Sequence, residues 1–164
     1  MTEALNESAR VLVQRLAEKG MTLSTAESCT GGLVAKLITD VPGSSTVFVG
    51  GVVSYTNPIK IGFLGVDPAI IKRDTEVSAA CAIAMAEGAR QRMDTHLAVS
   101  ATGYAGPGGG TEHDPIGTVY LGISTPSRSF AERFSAPEGL DRAGVRYAAA
   151  LRAMELLLAE VEGT

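Results

Sequence analysis

The chain has 164 residues, 45% hydrophobic and 20% charged, with a formal net charge of -4, which suits a single domain over residues 1–164 with a sizeable core. The acidic balance, the 5% of aromatics and the lack of Trp argue against a nucleic-acid partner, for want of excess cations and of a stacking platform. No apolar run approaches the ~18 residues of a membrane span, and MTEALNESARVLVQRL has no basic-then-apolar signal, so neither a membrane partner nor export is expected and the cytoplasm is the expected location. The predicted elements then alternate. Leu5, Val11 or Leu12 and Leu16 make a helical stripe over about 4–19, which Gly20 should end. Residues 21–27 read as a strand. Residues 30–40 read as a helix, with Leu33, Val34, Leu37 and Ile38 on one face. VPGSS is a loop, and 46–55, β-branched and broken by glycine, is a buried strand. Short helices follow at 58–64 and 67–73, and a longer one at 78–93. HLAVSAT is a strand that runs into a glycine loop. Residues 117–124 and 128–135 form a hairpin about Pro126-Ser127. Leu140, Tyr147, Leu151, Met154, Leu158 and Val161 keep the 3.6 period of a last helix, with Ser135 and Glu138 as a capping box. The expected fold is a three-layer α/β/α sandwich on a mixed, mostly parallel five-stranded sheet, with ligands at the carboxyl ends of the strands.

Cys29 and Cys81 belong to no CxxC and, with His96 and His113, have no metal-ligand spacing, so neither a disulfide nor a structural metal is expected. Four segments can carry chemistry. In Ala26-Glu27-Ser28-Cys29-Thr30-Gly31-Gly32, Ser28 falls where a strand becomes a helix, beside amides able to hold an anion or a developing oxyanion. The same residues would serve equally as a helix cap with two packing glycines. Cys29 competes as nucleophile, although neither histidine is placed to activate it. In Ser54-Tyr55-Thr56-Asn57-Pro58-Ile59-Lys60, Tyr55 ends a strand and Lys60 lies a turn into the next helix, either as a surface lysine or at the sheet edge that carries Ser28. ATGYAGPGGGT is a glycine loop that fits neither a Walker nor a Rossmann pattern. Arg142, with Arg146 a turn later, is a phosphate clamp or a solvated helix face.

Together, TAESCTGG, TDVPGSS, GGVVSYTN, ATGYAGPGGGT and PIGTVYLGI resemble the C-terminal domain of the CinA competence/damage-inducible proteins, over roughly residues 5–160. That domain also occurs alone as an amidase of nicotinamide nucleotides, and the expectation here is the stand-alone form. The resemblance implies hydrolysis of nicotinamide mononucleotide to nicotinic acid mononucleotide and ammonia. It implies Ser28 as nucleophile, Lys60 as general base and Tyr55 as helper in the proton relay. Ser45, Thr102, Gly103 and Arg142 match positions used around the substrate; Thr30 and Gly31 are expected to supply oxyanion amides. No metal or organic cofactor is implied, and a cytoplasmic homodimer is. The chain departs from the family at Tyr104, where an aliphatic residue is usual, and at Asp74-Thr75-Glu76, where a glycine-containing turn is expected. A lysine acts as base only when neutral, so burial or a nearby positive charge must push its ordinary value of about 10.4 down. Two other classes fit the same residues: a catalytically silent nucleotide- or partner-binding module, and an amidase acting on another small amide.

Overall fold

The computed structural model describes residues 2–163, and the side chains of 6–163; Leu5 of the predicted first stripe lies outside the described side chains. The helices are α1 (Thr2–Glu18), α2 (Leu33–Thr39), α3 (Asn57–Leu64), α4 (Pro68–Asp74), α5 (Ala79–Met93) and α6 (Arg142–Gly163). The strands are β1 (Leu23–Glu27), β2 (Phe48–Val53), β3 (Leu97–Gly103), β4 (Thr118–Ser124) and β5 (Ser129–Ser135). No described helix is long and apolar enough to cross a membrane.

The five strands lie in the order β2-β1-β3-β4-β5. β1 pairs in parallel with β2 and β3, and β4 runs antiparallel between β3 and β5, so every strand but β4 points the same way. Successive side chains on a strand face opposite layers. Leu23, Leu97, Val99, Ala101, Val119, Leu121 and Ile123 take one face, in a core shared with Leu12 and Leu16 of α1, Val34 and Ile38 of α2, and Met154 and Leu157 of α6. On the other face Ala26 and Ala98 pack with Cys81, Met85 and Ala89 of α5, together with Leu64 of α3. The α/β/α layering expected of the alternating elements is thus present.

Local chemistry sets the boundaries. Gly20, at φ +63°, ends α1 while the Met21 amide reaches back to Leu16 O, as a left-handed helix end requires. Two expectations are corrected. The second helix starts at Leu33, not Thr30, because residues 28–32 are a turn with positive φ at Gly31 and Gly32. The last helix is capped by Asp141, whose Oδ1 accepts from the Gly144 amide at 2.8 Å. Ser135 instead ends β5, so Ser135 and Glu138 form no capping box.

The chain leaves β1 for α2 on one face and leaves β2 for α3 on the other. The strand ends at this divergence enclose a crevice, the usual place for a ligand in an open α/β sheet.

Candidate active site

Ser28 is the first residue beyond β1. Its amide donates to Ala101 O of β3 at 2.8 Å, and its own carbonyl accepts from Gly31 N at 3.0 Å. The side chain sits at the crevice floor, 9% exposed. Before it, the buried Glu27 turns its carboxylate onto the start of α2. Oε2 accepts from the amides of Gly32 and Val34, both at 3.0 Å, and Oε1 from that of Ala35 at 2.8 Å. Of the two amides expected to hold an oxyanion, that of Gly31 is taken and that of Thr30 is not. Gly31 N bonds Ser28 O and Leu33 N bonds Thr30 O. Among the described residues, the amides of Cys29 and Thr30 are left without a carbonyl or carboxylate acceptor.

Lys60 is not a surface lysine. It enters from the first turn of α3 and is 1% exposed. Its Nζ lies 3.3 Å from Glu76 O and 3.3 Å from Thr102 Oγ1. Burial pushes the Lys60 amine below its ordinary value, partly opposed by the nearby Cys81, Glu76 and Cys29 groups. Tyr55 stands at the rim, 56% exposed, and its hydroxyl accepts from Arg142 Nη2 at 2.9 Å. Arg142 Nη1 also donates to Gly106 O, so one guanidinium ties the end of β2, the glycine loop and the start of α6. These groups surround a cleft of about 360 Å³.

The cleft brings together Ser28, Tyr55, Lys60, Thr102, Gly103 and Arg142. It does not bring in Thr30, Gly31 or Ser45. Thr30 is fully buried, with its carbonyl taken by Arg146 Nη2 at 2.7 Å. Gly31 packs behind the turn, where a Cβ would sit 3.2 Å from Arg146 Nη2. Ser45 is exposed in a 3-10 turn, Ser44–Thr46, at the amino end of β2, whereas the cleft lies at the carboxyl end.

Glu76, Asn57 and Tyr104 also line the cleft. Sequence reasoning missed the Glu76 carbonyl, and its one signal was the departure from the expected glycine turn at 74–76. Cys29 borders Ser28, but burial pushes its thiol up to about 12, which leaves almost no thiolate at neutral pH. Neither histidine reaches Ser28. His96 Nδ1 accepts from Thr22 N at 3.0 Å at the opposite end of the sheet, and His113 lies in the loop that Arg133 holds through His113 O. Among the described residues no group of three His, Cys, Asp or Glu is placed to hold a metal ion. A buried amine biased toward neutrality in one cleft with a serine hydroxyl, with unbonded amides in the turn that follows the serine, is equipment for acyl transfer.

Comparison with known proteins agrees with this architecture. The model of the CinA C-terminal domain matches residues 5–161. A CinA-like protein of Myxococcus xanthus is 49% identical over 150 residues, 91% of this chain and 35% of that protein. One from Synechocystis is 47% identical over 152 residues, 91% of this chain and 36% of that protein. The chain thus spans about a third of the length of these relatives. Among solved structures, the competence/damage inducible protein CihA from Agrobacterium tumefaciens is 37% identical with a TM-score of 0.91, covering 95% of this chain and 94% of that one. A CinA superfamily protein from Klebsiella pneumoniae is 28% identical with a TM-score of 0.93, covering 98% and 99%.

Proposed function

Because the chain belongs to the CinA C-terminal domain family, we propose that it hydrolyses the carboxamide of nicotinamide mononucleotide, giving nicotinic acid mononucleotide and ammonia. The observation that carries this reading is the Lys60 amine, buried and pushed toward its neutral form, in one cleft with Ser28. In the proposed reaction Ser28 Oγ attacks the carboxamide carbon as its proton passes to Lys60 Nζ. The amide of Cys29, which lines the cleft, stabilises the oxyanion of the tetrahedral intermediate. Lys60 returns the proton to the amide nitrogen, the carbon–nitrogen bond breaks and ammonia leaves. Water then attacks the acyl-serine and gives a proton to Lys60, and the collapse restores the Ser28 hydroxyl and releases the carboxylic acid. Tyr55 assists at the rim, where Arg142 holds its hydroxyl. The cationic pyridinium of the bound substrate disfavours a second positive charge on Lys60, which keeps the base neutral in the complex.

The phosphate, expected at Arg142 and Thr102-Gly103, is assigned to Arg142 and to Gly103 at the end of β3. The start of α2 is closed to it by Glu27, whose carboxylate already occupies the amides that an anion would use. No metal or organic cofactor enters the scheme, and the working form is taken as a cytoplasmic homodimer.

The test is ammonia release from nicotinamide mononucleotide by the wild type and by Ser28→Ala. Release by the wild type alone supports the reaction and the nucleophile. Release by both keeps the reaction and removes Ser28. Release by neither turns the reading toward a silent binding module or another amide. Arg142→Ala is expected to raise KM far more than it lowers kcat, because phosphate contacts made equally in ground and transition states act on binding. Equal rates on the mononucleotide and the riboside would defeat the phosphate assignment.

A further inference from the structure

Thr102 borders the cleft, yet its side chain is sealed from solvent at 0% exposure, which leaves a substrate little to touch. Its hydroxyl is engaged on both sides. The hydrogen goes to Glu76 O at 2.7 Å, and the oxygen accepts from Lys60 Nζ at 3.3 Å. Lys60 Nζ also donates to the same Glu76 carbonyl at 3.3 Å. The three groups form a closed triangle about one amine.

The count of hydrogens gives this triangle a meaning. A neutral primary amine has two N–H donors and one lone pair; an ammonium has three donors and none. The described residues offer Nζ two acceptors, enough for the neutral amine and one short for the ammonium. Beyond these two, Nζ faces only the cleft, where an ammonium would turn its third N–H and the neutral amine its lone pair. With both N–H groups held, the lone pair is the part of Nζ that no protein group engages.

The carbonyl in this triangle is delivered by an unusual turn. Thr75 has φ +70° and ψ 170°, a region that β-branched residues avoid. The turn is held by Ser78 Oγ donating to Thr75 O at 3.0 Å and by Val77 N donating to Thr75 Oγ1 at 3.3 Å. A strained threonine persists where the neighbouring bonds over-determine it, and the next carbonyl in the chain is the one aimed at Lys60.

We propose that Thr102 and the Glu76 carbonyl are positioning groups for the base: they hold the two N–H groups of the neutral Lys60 amine and leave its lone pair for the Ser28 hydroxyl. This rests on the amidase reading, and it moves Thr102 from substrate contact to support of the base. The other ionisable groups about Lys60 are the Glu76 carboxylate, the Cys29 thiol after β1 and the Cys81 thiol of α5.

The experiment compares wild type, Thr102→Val and Thr102→Ser by two readouts. The first is the pH titration of Lys60 by NMR of 13C-lysine-labelled protein, assigned with Lys60→Met, with no substrate present. The second is kcat and KM for ammonia release across pH. Valine keeps the shape and removes an acceptor that favours the ammonium, so the Lys60 titration and the acid limb of the rate profile move to lower pH. We expect kcat to fall roughly tenfold to a hundredfold, a share of what a general base supplies, with KM within about twofold. Serine should restore both. A raised KM with unchanged kcat and an unchanged Lys60 titration would overturn the proposal and return Thr102 to the substrate. If the valine variant does not fold, Thr102→Cys, a weak acceptor, carries the same comparison. If the wild type releases no ammonia, the amidase reading falls, and the titration still decides: an unmoved Lys60 in Thr102→Val refutes the positioning role by itself.

Discussion

At Lys60 stability and chemistry pull in opposite directions. The unfolded chain keeps the lysine proton up to about 10.4, whereas the folded chain, burying the amine, releases it at lower pH. Between those two values unfolding takes up a proton, so stability rises with pH through that window and is reduced below it. Lys60→Met should therefore unfold at higher urea than the wild type at pH 7, by about 1–4 kcal/mol, the range seen when buried charged groups give way to apolar ones. The gap should narrow as pH is raised toward 10.4. A variant less stable than the wild type at pH 7 would show the amine to be a stabilising group. The same variant should lose at least about a hundredfold in ammonia release. The cysteines titrate with the opposite sign, since burial raises the Cys29 and Cys81 thiols while the Lys60 charge lowers them. Cys29→Ala should keep ammonia release within about threefold, because a buried thiol serves as a small apolar side chain. Loss of turnover with an intact fold would reinstate Cys29 as nucleophile. In the sequence, the type and spacing of Ser28, Tyr55 and Lys60 were legible through resemblance, and the strand ends that carry them through periodicity. The burial of Lys60 was not, because it depends on Glu76 and Thr102, which reach it from distant parts of the chain.

The elements show the same division between near and far. The continuously buried runs of β3 and β4 and the long stripe of α6 follow from local pattern, whereas β2, expected to be buried, is the half-exposed edge strand. Helix ends are decided by individual bonds that several nearby residues could supply. Ser135 and Glu138 have the spacing of a cap, but β5 extends through Ser135 to pair with Thr118, and Asp141 takes the role. Asp141→Ala should cost about 1 kcal/mol in urea unfolding, and Ser135→Ala nearly nothing. The reverse order would restore the earlier cap. Glu27 lies within a recognisable motif, but nothing local reveals that its carboxylate caps the helix that starts six residues on. Glu27→Gln replaces one acceptor oxygen with a donor facing amides, so it should destabilise by about 1–3 kcal/mol and lower kcat as the Ser28 turn loosens. Full activity and stability in that variant would reduce Glu27 to a bystander.

Across the whole molecule, the cleft depends on how closely its layers approach. Lys60 rides on α3, and α3 lies against α5 at Gly88, where a Cβ would fall 1.9 Å from Leu64 O. Gly88→Ala must push α3 away from α5. It should cost about 1–3 kcal/mol and reduce ammonia release by up to about a hundredfold, because a displacement of about 1 Å at a reacting group has that effect. Activity that falls only in step with the unfolded fraction would show that α3 carries Lys60 with slack to spare. This coupling is invisible to sequence patterns: Gly88 reads as one more small residue in an alanine-rich helix. The Glu27 carboxylate has a further consequence, for inhibitor chemistry. Compounds that seek helix ends with a carboxylate or phosphonate would meet, at α2, two oxygens of their own charge already seated on the amides. A compound built for this cleft would place a neutral electrophile, such as a nitrile or aldehyde, at Ser28 and carry its negative group toward the guanidinium of Arg142.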